Sequence, residues 1–376
     1  MSLISYNTKI HFAESVLEDA FEAEFELLGL RRPLVISDNG PERAAVLARL
    51  EAAIPRGVSA GFYDMPTPTP TEALCDEAAQ LYHDWEADGI VAFGAAGAHN
   101  LAKATALRVS HQGPYRQYAG VAGGPRIRDV MPPVIVVPTI AGSCSEAVGV
   151  AVLVLPEGGT STLISPYLTP RVVICDPTLT LDLPADLTAG AGMDALTHCV
   201  ETYIAIAYNP PADGIARDGL RRAVAHLQRA VEDGSDLRAR RELMAAALNG
   251  ALAHQKGLGG VHAMSHALAG VAEGGIDHGA ANAVLLPLVL EFNAPAVEAR
   301  YEAIRYEMGL SEKADLPEAM ARLRERIALP SRLGALGIRR DDLPRAADYA
   351  AADYANRTNP RRAGRDDYLA MLEAAI

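Results

Sequence analysis

The run Gly89-Ile90-Val91-Ala92-Phe93-Gly94-Ala95-Ala96-Gly97 decides the fold of the first half of this chain. A short, continuous apolar segment that ends in a glycine turn reads as a strand covered on both faces. A helical pattern over residues 98–107 follows it. The same texture recurs in Pro33-Leu34-Val35-Ile36-Ser37-Asp38, followed by a helical pattern over 41–50, in Val134-Ile135-Val136-Val137-Pro138, and in Arg171-Val172-Val173-Ile174-Cys175-Asp176. Runs of Val and Ile without in-out alternation predict a parallel sheet flanked by helices. The Pro-rich tract Tyr63-Asp64-Met65-Pro66-Thr67-Pro68-Thr69-Pro70-Thr71 reads as a stiff loop entering a helix near Glu72.

Near Leu181-Asp182-Leu183-Pro184 the texture changes to alanine- and leucine-rich helical periodicity, broken by Asn209-Pro210-Pro211, Gly257-Leu258-Gly259-Gly260 and Ala328-Leu329-Pro330. The expectation is an α/β domain over 1–183 and an all-helical domain over 184–376.

The chain has 376 residues, 49% hydrophobic and 22% charged, enough to bury a sizeable core. A formal charge of −13 argues against nucleic acid or an anionic membrane as the main partner. Cys75, Cys144, Cys175 and Cys199 show no CxxC spacing, so reduced, buried thiols are expected. The N-terminus lacks a basic and an apolar region of the secretory type, and no uninterrupted apolar run approaches the ~18 residues of a membrane span. A cytoplasmic location is expected.

Chemistry concentrates in Gly192-Met193-Asp194-Ala195-Leu196-Thr197-His198-Cys199-Val200-Glu201. Asp194 and His198 are four residues apart without an intervening Gly or Pro, so a helix presents both from one face. His262 and His266 repeat the spacing, and His278 follows. One such pair alone reads equally as an N-cap Asp and a satisfied core His. Two pairs and a third His, in apolar sequence, favour a divalent ion of the Zn or Fe(II) type. Glu201, on the next turn, reads as a surface helix charge in preference to a group orienting a ligand.

In the first half, Gly94-Ala95-Ala96-Gly97 precedes a helix whose backbone N–H groups can bind a pyrophosphate, although small residues there also serve tight packing. Asp38 ends its strand and can accept bonds from an adenosine ribose, favouring NAD over NADP; a turn Asp in Ser37-Asp38-Asn39-Gly40 is the equal alternative. Pro138-Thr139-Ile140-Ala141-Gly142-Ser143-Cys144-Ser145-Glu146 offers hydroxyls at the carboxyl end of the sheet, or simple helix capping.

Taken together, these motifs resemble the iron-containing (group III) alcohol dehydrogenase family, whose superfamily includes glycerol dehydrogenases, maleylacetate reductases and dehydroquinate synthases. The carriers are Gly192 to His198, then Val261-His262-Ala263-Met264-Ser265-His266, and His278-Gly279-Ala280-Ala281-Asn282-Ala283-Val284-Leu285-Leu286-Pro287. Pro138-Thr139 with Ala141-Gly142 and Ser145-Glu146, Asp176-Pro177-Thr178-Leu179-Thr180, and Thr358-Asn359-Pro360-Arg361 also match. The resemblance spans nearly the whole chain in order.

It implies a Rossmann-like domain with a parallel sheet and an all-α C-terminal domain, the dehydroquinate synthase-like fold. The implied metal ligands are Asp194, His198, His262 and His278, with His266 in the proton path. The implied cofactor contacts are Asp38, Gly94, Ala95, Ala96, Gly97, Asn100, Thr139, Ile140, Ser143, Ser145, Thr178 and Leu179. The implied activity is hydride transfer between NAD(H) and a small alcohol or aldehyde at Fe(II) or Zn, in a homodimer. Departures from the pattern are informative. The phosphate loop G-G-G-S-x-x-D is here Gly94-Ala95-Ala96-Gly97-Ala98-His99-Asn100, with Lys103 kept. The T-G-S-E element is Ser143-Cys144-Ser145-Glu146, the lysine before I-x-S-P-x-L is Thr160, and residues 270–277 form a longer loop. Added Cβ atoms crowd a pyrophosphate wherever backbone approaches closely. Asp194, which maleylacetate reductases typically lack, points to the metal-dependent dehydrogenases. A maleylacetate reductase-like reductase, a dehydroquinate synthase-type lyase, and a divergent non-catalytic metal protein are the alternatives. Few Lys or Arg near the metal motifs speak against the lyase.

Overall fold

The computed structural model describes residues 4–38, 44–67, 69–155, 160–272 and 275–376. Parts of four expected features therefore lie outside the described residues: Pro41 to Arg43 of the second helical pattern, Asn39-Gly40 of the turn, Pro68, and Glu273-Gly274 of the longer loop. The chain divides into two compact units. One comprises Tyr6–Ile140 and Ser145–Asp182; the other comprises Leu183–Ile376 with Ala141–Cys144 and residues 4–5.

The first unit is built on six parallel strands: β1 (Lys9–Phe12), β2 (Pro33–Asp38), β3 (Gly61–Met65), β4 (Gly89–Gly94), β5 (Val134–Pro138) and β8 (Val172–Cys175), in the order β1-β8-β5-β4-β2-β3. Between β5 and β8 the chain forms a separate antiparallel pair, β6 (Val150–Val154) and β7 (Thr160–Ile164). The parallel sheet expected from the Val/Ile runs is thus present.

Side chains alternate across a strand, and both faces are packed. Ile90 and Ala92 join Leu34, Ile36, Val134 and Val136 in one core. Val91 and Phe93 join Val35, Ile135, Val137 and Ile174 in the other. All six residues of β4 are buried, and each large aliphatic side chain contributes about 1.5–3 kcal/mol by leaving water. A charge at Val91 would undo this.

The second unit is helical, as expected. The Ala185–Ile204 helix is buried along nearly its whole length from Thr188, so it is a core helix rather than an amphipathic one. Around it pack the Pro210–Glu232, Leu237–Ala253 and His278–Glu307 helices. The His278–Glu307 helix is long and apolar enough to cross a membrane by composition, but its first half is packed into this core. Gly279 fixes where it crosses the central helix: a methyl group at this position would lie 1.9 Å from the Gly190 carbonyl oxygen. That close approach carries His278 to Asp194.

Candidate metal centre

Asp194, His198 and Glu201 project from one face of the Ala185–Ile204 helix, and all three are buried. Asp194 lies mid-helix, so the N-cap reading of the Asp194–His198 pair does not hold. His262 and His266 belong to the Gly260–Ala269 helix. His278 is the first residue of its helix, which Asp277 caps by accepting the Ala280 N–H at 2.9 Å.

These elements bring Asp194, His262 and His278 together, with one ligand atom of each within 4.8 Å of the others. Asp194 Oδ2 lies 3.3 Å from His278 Nδ1, and Asp194 Oδ1 lies 3.6 Å from His262 Nε2. His198 is outside that set of three. Its Nδ1 turns back to the Asp194 carbonyl oxygen at 2.9 Å and to Oδ1 at 3.1 Å, while its ring centroid stands 4.0 Å from that of His262. His266 is not one of the three; its ring stacks on that of His278 at a centroid distance of 5.7 Å, and its Nδ1 lies 3.2 Å from Asp353 Oδ2.

Glu201 is not a surface charge. It is 1% exposed and accepts the N–H groups of Gly259 at 3.0 Å, Val261 at 2.7 Å and His262 at 3.3 Å. It also meets His262 Nδ1 at 2.7 Å. This corrects the sequence expectation. The carboxylate caps a helix start, where N–H groups have no partner within the helix. It also fixes the His262 tautomer with the proton on Nδ1. His262 Nε2 is then left buried without a hydrogen-bond partner, beside a carboxylate. Such an orphan costs about 1–3 kcal/mol unless something occupies its lone pair.

The electrostatics agree with a cation seat. Burial works against charge on Asp194, yet His278 and His198 outweigh it and hold the carboxyl well below its usual range. Burial works against protonated His198, but Asp194 outweighs it and raises the ring. Burial, and then the charge of His198, pulls His262 down into the neutral form that ligates metals.

Sequence reading did not single out several supporting groups. Asn282, one turn after His278, donates to Asp194 Oδ1 at 2.8 Å. The Ser265 hydroxyl stands 3.0 Å from His278 Nε2. Asn359 accepts the Gly260 N–H at 3.0 Å and exchanges two amide bonds of 2.9 Å with Asn293. The i, i+4 spacing of His278 and Asn282 was a usable signal for the first; only the fold reveals the others.

In the α/β unit, Asp38 Oδ2 accepts the Ala95 N–H at 2.8 Å. Gly94 has φ +151°, and a Cβ there would fall 1.9 Å from Asp38 Oδ1, so glycine is required. The helix Ala96–Ser110 behind it has no side-chain cap, which fits an anion at its first turn. Ala96, Gly97 and Asn100 lie in that first turn and a half. Thr139 donates its N–H to the Gly94 carbonyl at 3.0 Å, and Ile140 follows it. The Ser145 hydroxyl is 2.7 Å from His99 Nδ1. Ser143 belongs with the 141–144 segment of the helical unit. Thr178 is bonded to Asp176 and Arg49, and Leu179 packs in the core of this unit. Lys103 is buried, and its Nζ donates to the carbonyls of Ser145 at 2.5 Å, Val150 at 2.9 Å and Val148 at 3.0 Å. Burial pulls this amine down to about 7 while Glu146 opposes the shift; three carbonyl acceptors match the three donors of an ammonium, the form around which this segment is built.

Two sequence profiles account for most of the chain. One described as "Iron-containing alcohol dehydrogenase" matches residues 7–177, and one described as "Fe-containing alcohol dehydrogenase family, C-terminal" matches 188–376. The chain belongs to the iron-containing alcohol dehydrogenase family. Members of this family similar to it include a 4-hydroxybutyrate dehydrogenase of Cupriavidus necator, 41% identical over 384 residues and covering 100% of both chains. A 1,3-propanediol dehydrogenase of Klebsiella pneumoniae is 33% identical, with 93% of each chain covered. Among solved structures, a 1,3-propanediol oxidoreductase superposes with TM-score 0.91 at 32% identity and full coverage of both chains. An alcohol dehydrogenase from Oenococcus oeni gives 0.93 at 28% identity, again with full coverage of both. The expected family and fold are both borne out. The chain is an oxidoreductase of the alcohol dehydrogenase type.

Proposed function

We propose that this iron-type alcohol dehydrogenase interconverts a short primary alcohol and its aldehyde with NAD(H), at Fe(II) or Zn held by Asp194, His198, His262 and His278. The supporting observation is the buried, unpartnered His262 Nε2 next to the Asp194 carboxylate. One carboxylate and imidazole nitrogens are a donor set that both ions accept. When bound, the ion supplies Lewis acidity toward an alcohol oxygen and NAD supplies the hydride acceptor.

The protein groups do the rest. Glu201 keeps the His262 proton on Nδ1 and its lone pair on Nε2. Asn282 orients the Asp194 carboxylate by a bond to Oδ1. His266, held by Asp353, is the group that moves a proton to or from solvent. Residues 1–183 serve as the dinucleotide domain and 184–376 as the metal domain. Asp38, Gly94, Ala95, Ala96, Gly97, Asn100, Thr139, Ile140, Ser143, Ser145, Thr178 and Leu179 are the proposed cofactor contacts; the carboxylate of Asp38 disfavours a 2′-phosphate and hence NADP. A cytoplasmic enzyme is supported by four buried cysteines, none of them in a disulfide, and a homodimer by the family resemblance alone.

The test is protein loaded with Fe(II) or Zn, mixed with NAD and a panel of short alcohols, diols and hydroxy acids. Formation of reduced nicotinamide on at least one of them is expected, with tighter calorimetric binding of NAD than of NADP. Metal-loaded protein that binds neither nucleotide, or turns over no member of the panel, overturns the reading.

A further inference from the structure

The helix Ala96–Ser110 carries the proposed phosphate turn at its front, and two residues one turn apart on its flank reach a single target. His99 Nδ1 stands 2.7 Å from the Ser145 hydroxyl, and Lys103 Nζ donates to the Ser145 carbonyl at 2.5 Å. The same Nζ gathers the carbonyls of Val150 at 2.9 Å and Val148 at 3.0 Å. Ser145 is therefore held by its side chain and by its backbone, from one helix face at i, i+4 spacing. All of these residues belong to the α/β unit.

His99 and Lys103 are both 0% exposed. Taking an ammonium out of water is expensive, and a methionine would fill the same space without that cost. What the charge adds is direction, because three charge-assisted bonds fix three carbonyls of one short segment. Residues 145–149 form neither helix nor strand, so no regular backbone ladder sets their course. Upstream, the Thr139 N–H on the Gly94 carbonyl at 3.0 Å ties the chain leaving the neighbouring strand to the start of the phosphate turn.

Resting on the dinucleotide reading above, we propose that His99 and Lys103 are positioning residues for NAD: they lock the Ser145 segment to the helix that presents the phosphate turn, so both contact segments meet the cofactor already aligned. Being fully buried, the two side chains act through Ser145 rather than on the cofactor itself. Such locking removes from binding the cost of ordering a loop, which otherwise subtracts from affinity. A segment correctly placed only part of the time binds in proportion to that fraction.

The experiment titrates NAD calorimetrically into the metal-loaded parent and into Lys103→Met, His99→Leu and His99→Gln, alongside steady-state kinetics on the best alcohol of the panel. A hydrogen bond to a charged group is worth roughly a 10- to 150-fold factor, so Lys103→Met should raise the Kd and KM of NAD by roughly tenfold or more. His99→Leu loses an uncharged bond to Ser145 and should raise both roughly 3- to 10-fold. His99→Gln, whose amide can still meet the hydroxyl, should recover most of that loss. Metal content, kcat at saturating NAD and the KM of the alcohol should follow the parent in all three, a split that general loosening of the fold would not give. Folded variants whose Kd for NAD stays within about twofold of the parent overturn the assignment, as do losses shared equally by kcat and both KM values. Should Lys103→Met fail to fold by circular dichroism, His99→Leu against His99→Gln decides the matter alone. A parent that binds no NAD would instead sink the dinucleotide reading itself, so the two failures are distinguishable.

Discussion

The Glu201 carboxylate and the His262 imidazole meet at 2.7 Å, Oε2 to Nδ1, in a place where both side chains are 1% exposed. One buried acid thereby sets a histidine tautomer and ties down the backbone that carries it.

Glu201→Gln tests the first of these roles. An amide keeps one acceptor oxygen, enough for the Gly259 and His262 N–H groups, but turns an NH2 toward the Val261 N–H and polarises the imidazole less. Partners of this kind typically carry 10- to 100-fold in metal affinity. That loss is expected in competition with a chromophoric chelator, with circular dichroism unchanged. Unaltered affinity would reduce Glu201 to a helix cap.

Metal removal should be visible as stability. An ion that binds only the folded chain adds about 2.7 kcal/mol at a hundredfold excess over its Kd. Stripping with a chelator should lower the melting temperature, and adding Zn should restore it. In Asp194→Asn the restoration should vanish; a full shift in that variant would show that the ion binds elsewhere.

The His266–Asp353 pair separates proton movement from metal binding. His266→Asn should retain the metal and lose about 10²- to 10⁴-fold in kcat. Asp353→Asn should show a smaller loss in the same direction, since it only orients the ring. Loss of metal in His266→Asn would reassign His266 as a ligand.

A fourth expectation concerns packing. Cys144 occupies a left-handed conformation, φ +52°, where the family pattern has glycine. Its Sγ fills space above Gly250, where an added Cβ would meet it at 2.6 Å and His198 Cβ at 3.0 Å. Gly250→Ala should therefore destabilise despite the ~1 kcal/mol that alanine gains over glycine within a helix. Adding Cys144→Gly removes the obstructing sulfur and relieves a strained φ, so the double variant should recover stability in urea titrations. Additive losses would refute the coupling.

How much of this was legible in the sequence follows from the kind of signal each part leaves. Central strands such as Gly89–Gly94 are buried on both faces and announce themselves as apolar runs. The edge strands Lys9–Phe12 and Gly61–Met65 were missed because each has a partner on one side only and a mixed burial pattern. Of the antiparallel pair, Thr160–Ile164 is half-buried and Thr-rich, which offers little to a hydropathy reading, whereas Val150–Val154 is an apolar Val-Ala-Val-Leu-Val run whose signal was there to be read. Asp194 and His262 were readable because each opens an i, i+4 pair with a histidine, and His278 because it follows them as a further imidazole in apolar sequence. Glu201 was misread because its donors come from residues 259–262, and nothing local distinguishes it from a solvated acid. Asp353 and Asn359 come from the last stretch of the chain, where distance in sequence hides proximity in space.

Asn359 also has a bearing on biogenesis. Its amide bridges Gly260, at the head of the helix bearing His262, to Asn293. On the ribosome, that keystone emerges long after Asp194, His198 and His262 have left the exit tunnel. The buttress behind the cation seat is thus missing until residue 359 has been made, so a nascent chain that stops short of it carries the ligands without their support.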